Sequence, residues 1–399
     1  MSHTGDWRVQ PSKVGVLLSG GSPNLHLIAG ALCAFYEQYV SFDVIGASGA
    51  GALPGLLYAV PKGGNPVEAL KATVHLNVSD TLYNLLPVNY KVFQKSGPFS
   101  QLFWQFGQML PHFTLPPQER YHDSLKRLYN DWIDLVITTL TPTTLNYFSK
   151  SVSTRVDTIH NLVDWDALPS YPKEFYLNAF NLDSQNLELF DKSTLTPDSF
   201  FAALAMPWLY PPVSIQGRTY TEGASHDPSG LEALWQYSNT IKDLDTIIAL
   251  DTVDSALWTV PRSSYDALQT AVMDPLVSLA EYVLGLYAKT ENKFNPPNPR
   301  KSPQLPRLYR VQFGYPEWEV PNILDWSYAN ALTLWDIGYK AAMQPAKALY
   351  NSLQHPEEDA NIQELEKYRY SSTLQHDMQG QSRTTTNALL TLCDLLLEQ

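Results

Sequence analysis

The chain has 399 residues, enough for a large core, and its 44% hydrophobic and only 17% charged content, cut by 29 prolines and 20 glycines, excludes a disordered chain and a collagen-like repeat. Its 27 Lys and Arg against 40 Asp and Glu leave a net charge of −13, and with no dense basic patch this argues against a nucleic-acid partner. Cys33 and Cys393, the two cysteines, stand in apolar stretches near opposite ends, which gives neither a disulfide framework nor a metal-ligand spacing and points to a reducing, cytoplasmic compartment.

The first apolar run, Val14 to Leu18, is too short for a secretory signal and leads into Ser19-Gly20-Gly21. No window approaches the roughly 18 to 20 apolar residues of a spanning helix, which leaves reversible contact with a membrane surface open. Residues 25–39 have helical length and spacing, Phe42 to Ile45 is a second apolar run cut by Gly46-Ala47-Ser48-Gly49, and Ala50 to Ala59 is a second helix despite Pro54. Strand, glycine loop, helix, strand and helix form a parallel βαβ opening, which places loops at the carboxyl ends of strands, where ligands sit.

From about residue 77 the pattern becomes uneven, and Phe93, Phe99, Phe103, Trp104, Phe106, Met109 and Phe113 gather between prolines. Two readings fit, a packed subdomain or an apolar cap facing a substrate tail. Glu174 to Asn181 predicts a strand with Leu187 to Phe190 as its hairpin partner; Thr196 caps a helix that Pro197 opens; and Trp208 to Pro212 is barred from helix by its prolines. Val213 to Tyr220 is a hairpin turning at Gln216-Gly217, and it delivers Glu222-Gly223-Ala224 just past its end. Thr246 to Leu250 and Leu308 to Phe313 are strands, Leu276 to Tyr287 and Trp326 to Leu349 helices, and a polar stretch from Gln354 to Thr386 precedes an apolar closing helix, Leu389 to Leu397.

The chemistry concentrates at Ser48. In Gly46-Ala47-Ser48-Gly49-Ala50, between a strand and a helix, small neighbours permit the tight turn that lifts a nucleophilic hydroxyl toward a helix N-terminus; a capping serine in a glycine turn is the structural alternative. Backbone amides of the Gly20-Gly21 loop on the adjoining strand are candidates to hold an oxyanion. Two bases are available, Glu222, flanked by small residues, and His226 four residues later. The nine histidines are scattered without metal-ligand spacing, so metal-independent chemistry and no cofactor are expected. Asp227, Asp251 and Asp254 read equally as carboxylates near the sheet edge or as surface turns.

Together, Ser19-Gly20-Gly21, Gly46-Ala47-Ser48-Gly49-Ala50, Trp208 to Pro212 and Glu222-Gly223-Ala224 resemble the successive landmarks of the patatin-like phospholipases. The resemblance implies a three-layer α/β/α fold with a central, mostly parallel sheet. A cap-like helical insertion at about 77–165 would lie within a hydrolytic unit 1–350, and 351–399 would be a polar linker and a helix packed on or near it. It implies a metal-free serine-carboxylate dyad, Ser48 with Glu222, and Gly20, Gly21 and Ser22 as the oxyanion loop. The substrate class is phospholipid, lysophospholipid or another long-chain ester, its tail held by Phe93, Phe99, Phe103, Trp104, Phe106 and Met109 with Trp208 and Tyr210.

The chain departs from the pattern in having Glu222 for the family's aspartate, Ser22 for a third glycine, Asn24 for an arginine and Ala224 for a glycine; Pro228 and Gly230 stand for an asparagine and a proline. The longer Glu222 side chain moves its carboxylate outward by about 1.5 Å, and misplacement near 1 Å costs about a hundredfold in rate. Two alternatives follow, a catalytically weak descendant that binds a lipid or protein through the same pocket, and a Ser-His-acid esterase using His226. No protein partner is specified.

Overall fold

The computed structural model describes residues 13–370 except 22–23, 96–99, 101, 103–105, 107–108, 110–123, 144, 146, 148, 156–159, 238–242, 251, 253–263, 296–304, 314–324 and 357. Ser22, Phe99, Phe103, Trp104, Phe113, Asp251, Asp254, Cys393 and the closing helix Leu389 to Leu397 therefore lie outside the described residues.

The chain opens as β1 (Val14–Leu18), α1 (Leu25–Glu37), β2 (Val44–Ala47), a 3-10 turn at Gly49–Gly51 and α2 (Ala52–Ala59). Helices α3 (Pro66–Ala72) and α4 (Asp80–Leu85) follow, then a two-stranded ribbon of β3 (Gln94–Lys95) and β4 (Ser153–Thr154), between which runs α5 (Ser124–Leu140). The second half brings β5 (Glu174–Asn181), β6 (Asn186–Asp191), α6 (Pro197–Ala203), β7 (Val213–Ile215) and β8 (Arg218–Glu222). These lead to α7 (Leu231–Tyr237), β9 (Thr246–Leu250), α8 (Ser264–Phe294), β10 (Arg307–Val311), α9 (Tyr328–Gln354) and α10 (Asp359–Glu366).

The main sheet runs β10-β9-β1-β2-β5-β8-β7, with β6 paired to β5 as well. The pairs from β10 through β5 are parallel, and those of β5 with β6, β5 with β8 and β7 with β8 are antiparallel. All five residues of β1, β9 and β10 are buried, as parallel strands covered on both faces require. Alternation then sorts the side chains. Val16, Leu18, Ile45, Ile248 and Val311 enter the core under α1, α2 and α9, whereas Leu17, Val44, Ile247 and Leu308 meet Leu231 and Leu234 of α7 and Leu284 of α8. Helices on both faces of the sheet make the architecture a three-layer α/β/α sandwich.

Helix α1 is buried continuously from Leu25 to Phe35, because the sheet covers one side and α9 the other. The two helices cross backbone to backbone. A methyl group built on Gly30 would come within 2.0 Å of the Trp335 carbonyl oxygen, and one on Gly338 within 2.0 Å of the Leu27 carbonyl oxygen. At the far edge of the sheet, the chain after α10 lies along β10: the Arg310 amide donates to Tyr368 O (2.9 Å) and the Tyr370 amide to Leu308 O (3.0 Å). Beneath it, Arg310 pairs with Glu281 of α8 at 2.7 Å, both almost fully buried, and the Tyr370 hydroxyl donates to the other Glu281 oxygen at 2.8 Å. The stretch after Gln354, expected as a linker, is thus partly helical and stitched to the sheet.

Candidate active site

Strand β5 assembles the site. At Tyr176 and Leu177 it pairs with β2 and β6, and at Ala179 to Asn181 with β8 and β6, so β2 and β8 occupy the same edge of β5 end to end. They run toward each other, one parallel and one antiparallel to β5. Ala47, the last residue of β2, is opposite Leu177, and Glu222, the last of β8, is opposite Ala179. Ser48 and Glu222 therefore emerge from two strand ends that face one another across the width of one residue, Asn178.

Ser48 is fully buried and extended (φ −131°, ψ 141°), and the turn is made by Gly49 at φ +47°. A methyl on Gly49 would meet Glu222 Oε1 at 2.8 Å and Ala224 Cβ at 2.9 Å, so the glutamate carboxylate lies against the Ser48-Gly49 turn. The Ser48 amide donates to Leu18 O (3.0 Å), which ties the turn to the end of β1. Its hydroxyl donates to the backbone carbonyl of Asp227 (2.8 Å), which also accepts from Asn178 Nδ2 (3.2 Å). Asn178 Oδ1 is buried with no hydrogen-bond partner and faces Gly223, where a methyl would come within 2.5 Å of it.

Glu222 is half-buried as a residue, its amide held by Ala205 O (3.0 Å). Burial of its carboxyl raises its pKa to about 7, against the opposing pull of a hydrogen bond from Ser225. Asp227 is buried as well, not in a surface turn. Burial lifts its carboxyl to about 6, opposed by the Ala233 amide (3.1 Å) and the Ser229 hydroxyl (2.9 Å), which make it a brace for the start of α7. His226 is exposed, and its ring stacks flat on Phe180 at 3.6 Å, which places it on Phe180 while Ser48 is held by Asp227. His26, at the start of α1, is buried between Thr73 and Asn77; burial lowers it to about 4 and it is neutral.

In the glycine loop the Gly20 amide is already engaged, donating to Pro228 O at 2.8 Å, while Gly20 O accepts from Thr252 Oγ1 at 2.8 Å. Gly20 is needed for close approach: a methyl there would come within 2.5 Å of Ala224 Cβ. Gly21 is buried at φ +114°, and its amide has no acceptor among the described residues. Asn24 is buried; its Nδ2 donates to Thr252 O (3.2 Å) and its Oδ1 is unpartnered.

Of the expected tail-binding aromatics, Phe93 is half-buried between Tyr210 (6.0 Å) and Trp326 (5.3 Å), and the Tyr210 hydroxyl donates to Val92 O (2.6 Å). Phe106, Met109 and Trp208 are exposed. A largely apolar cavity of about 210 Å³ is lined by Phe201, Leu204, Tyr210, Pro211 and Val213, together with Arg155. It begins one residue from Ala205, the acceptor for the Glu222 amide. Sequence reasoning does not reach Asn178, Ala205 and the Asp227 carbonyl; an asparagine between Leu177 and Ala179, well inside β5, is the available signal.

Helices cover both faces of the sheet, and a serine turn and a carboxylate meet at the ends of two of its strands, so a three-layer α/β/α fold carries a candidate hydrolytic site. The profile described as "Patatin-like phospholipase" matches residues 16–235, more than half of the chain. The protein belongs to the patatin-like phospholipase family, a family of lipid and ester hydrolases.

No curated protein matches the chain. Among solved structures it is similar to VipD from Legionella pneumophila, with 15% identity over 86% of this chain and 67% of that one and a TM-score of 0.37. It is also similar to human GIVD cytosolic phospholipase A2 in complex with methyl gamma-linolenyl fluorophosphonate and terbium chloride, with 10% identity and a TM-score of 0.35. That likeness covers 86% of this chain and spans 59% of the human one. Among the described residues, no helix is long and apolar enough to cross a membrane.

Proposed function

We propose that the protein is a serine hydrolase of long-chain acyl esters, phospholipid or lysophospholipid among them, with Ser48 as nucleophile and Glu222 as its base. The observation that carries this reading is the end-to-end meeting of β2 and β8 on β5, which sets the Glu222 carboxylate against the Ser48-Gly49 turn. In the reaction, the Ser48 hydroxyl leaves the Asp227 carbonyl, gives its proton to ionised Glu222 and bonds to the ester carbon. The Gly21 amide, with that of Gly49 at the head of the following helix, stabilises the oxyanion. Collapse of the intermediate releases the alcohol, which takes the proton from Glu222; water, deprotonated by the same carboxylate, then cleaves the acyl-enzyme. In this reading the acyl chain meets Tyr210, which lines the apolar cavity, and Phe93, which packs on it.

A second reading, a weakly active or inactive descendant that binds lipid, is favoured by one observation. The Ser48 hydroxyl is buried and donates to a backbone carbonyl instead of the carboxylate, while the Gly20 amide is consumed by Pro228. Turnover of a chromogenic long-chain ester separates the two. In the dyad reading Ser48→Ala and Glu222→Ala each lose at least about a thousandfold and His226→Ala keeps activity. A parent chain with no turnover at any ester length and no covalent adduct with a fluorophosphonate establishes the second reading.

A further inference from the structure

Helix α5 turns a stripe of large apolar side chains to water. Its exposed large side chains are Leu125 (76%), Tyr129, Trp132 (52%), Val136 and Leu140 (65%), a spacing of four, three, four and four residues that confines them to an arc of about 80°. The inward side, where Ile137 is buried and Leu128 and Leu135 pack on the core, also carries a charge. Asp131 is buried and pairs with Lys91 Nζ (2.5 Å), the Ser79 amide (2.7 Å) and the Ser79 hydroxyl, and Tyr90 donates to its backbone carbonyl (2.9 Å). A surface helix normally keeps its charges, not a second apolar stripe, on the side that faces water. These inward polar contacts fix the rotation of α5, so the apolar stripe cannot turn into the core without breaking a buried ion pair.

We propose that this stripe is the face on which the protein docks to a lipid surface. The stripe's area on the helix is on the order of 600 Å², at the upper end for the largest apolar patch of a monomer and short of the roughly 800 Å² per partner of a standard protein interface. It carries no charge, on a chain of net charge −13, so its complement is apolar and zwitterionic rather than basic. Leucines at both ends of the helix with tyrosine and tryptophan between them suit the boundary of headgroups and acyl chains, where an aromatic ring is apolar on its face and polar at its tip.

The chain also links the helix to the neighbourhood of the candidate site. The chain leaving α5 reaches β4, where the Val152 and Ser153 amides donate to Trp208 O and Leu209 O (both 3.0 Å), a few residues after Ala205, which holds the Glu222 amide. The choice of lipid as occupant rests on the proposed hydrolase reading, and the test keeps the two apart.

The full chain carrying Ser48→Ala, which binds without turning over, is floated with phosphatidylcholine vesicles. Adding Trp132→Glu or, separately, Leu125→Gln lowers the vesicle-bound fraction at least about tenfold. Replacing part of the phosphatidylcholine with an anionic lipid lowers it further, an effect that salt relieves. Both variants keep parent turnover of a water-soluble short-chain ester in the Ser48 background. Unchanged flotation of both variants, no flotation of the Ser48→Ala chain, or a parent that sediments as a dimer which either variant dissociates, overturns the proposal. Absence of soluble-ester turnover with flotation retained defeats the hydrolase reading and leaves the docking face standing.

Discussion

In the proposed dyad, the task given to Glu222 and the environment around it pull against each other. A base must be ionised, yet burial holds this carboxyl protonated up to about pH 7. With Glu222 as base, kcat/KM rises with pH through an acid limb centred near 7, well above the range of an ordinary carboxylate. Glu222→Asp draws the carboxylate back from the turn it now touches and lowers kcat about tenfold to a hundredfold; pH-rate profiles of the two proteins check both statements.

The same residue ties stability to pH. Its folded pKa lies above its unfolded value of 4.5, so its contribution to stability is fully present below the unfolded value and is lost as pH rises through about 7. Glu222→Gln removes this loss. Relative to the parent it gains on the order of 1–3 kcal/mol by pH 8 and little at pH 4, as urea unfolding at the two pH values would show. Asp227 shifts in the same direction, also by burial, and cancels from the comparison. At this scale the tight turn at Ser48 and the strand end at Glu222 were legible in the sequence because small residues around a polar one mark a tight turn. Asn178 was not, because an asparagine within a strand reads as outward-facing unless both faces of that strand are known to be covered.

Among the elements, the crossing of α1 and α9 is the most demanding contact. With a methyl at Gly338 falling 2.0 Å from the Leu27 carbonyl oxygen, Gly338→Ala must separate two buried backbones, and it costs about 3 kcal/mol in chemical denaturation despite the better helix propensity of alanine. Strands β1, β5 and β9 were readable to the residue, since a parallel strand buried on both faces is an unbroken apolar run and β5 is bounded by turns. Helix α8 was not. Pro275 within it reads as a breaker, yet the helix runs from Ser264 to Phe294, packed through Leu284 and Ala288 on the sheet. The stripe on α5 has ordinary amphipathic spacing, and only the buried Asp131 reveals which side faces water.

For the molecule as a whole, the sheet edge at β10 depends on charges taken out of water. Removing one member of the Arg310 and Glu281 pair leaves the other uncompensated, so Arg310→Met lowers stability by about 3–5 kcal/mol and loosens the chain beyond α10, seen as faster amide exchange at Tyr368 to Tyr370. None of this was legible from a polar stretch whose partners, β10 and α8, are distant in sequence.

The meeting of β2 and β8 has a consequence for how the protein acquires its site. The two strands do not bond to each other, and only their separate registers on β5 set the gap between Ser48 and Glu222. A slip of one residue in either ladder would move its end by about 3.3 Å and turn its side chains to the opposite face. If the proposed dyad is the active one, then during refolding competence to react with a fluorophosphonate trails the recovery of sheet structure, because it waits for the later of two independent strand dockings.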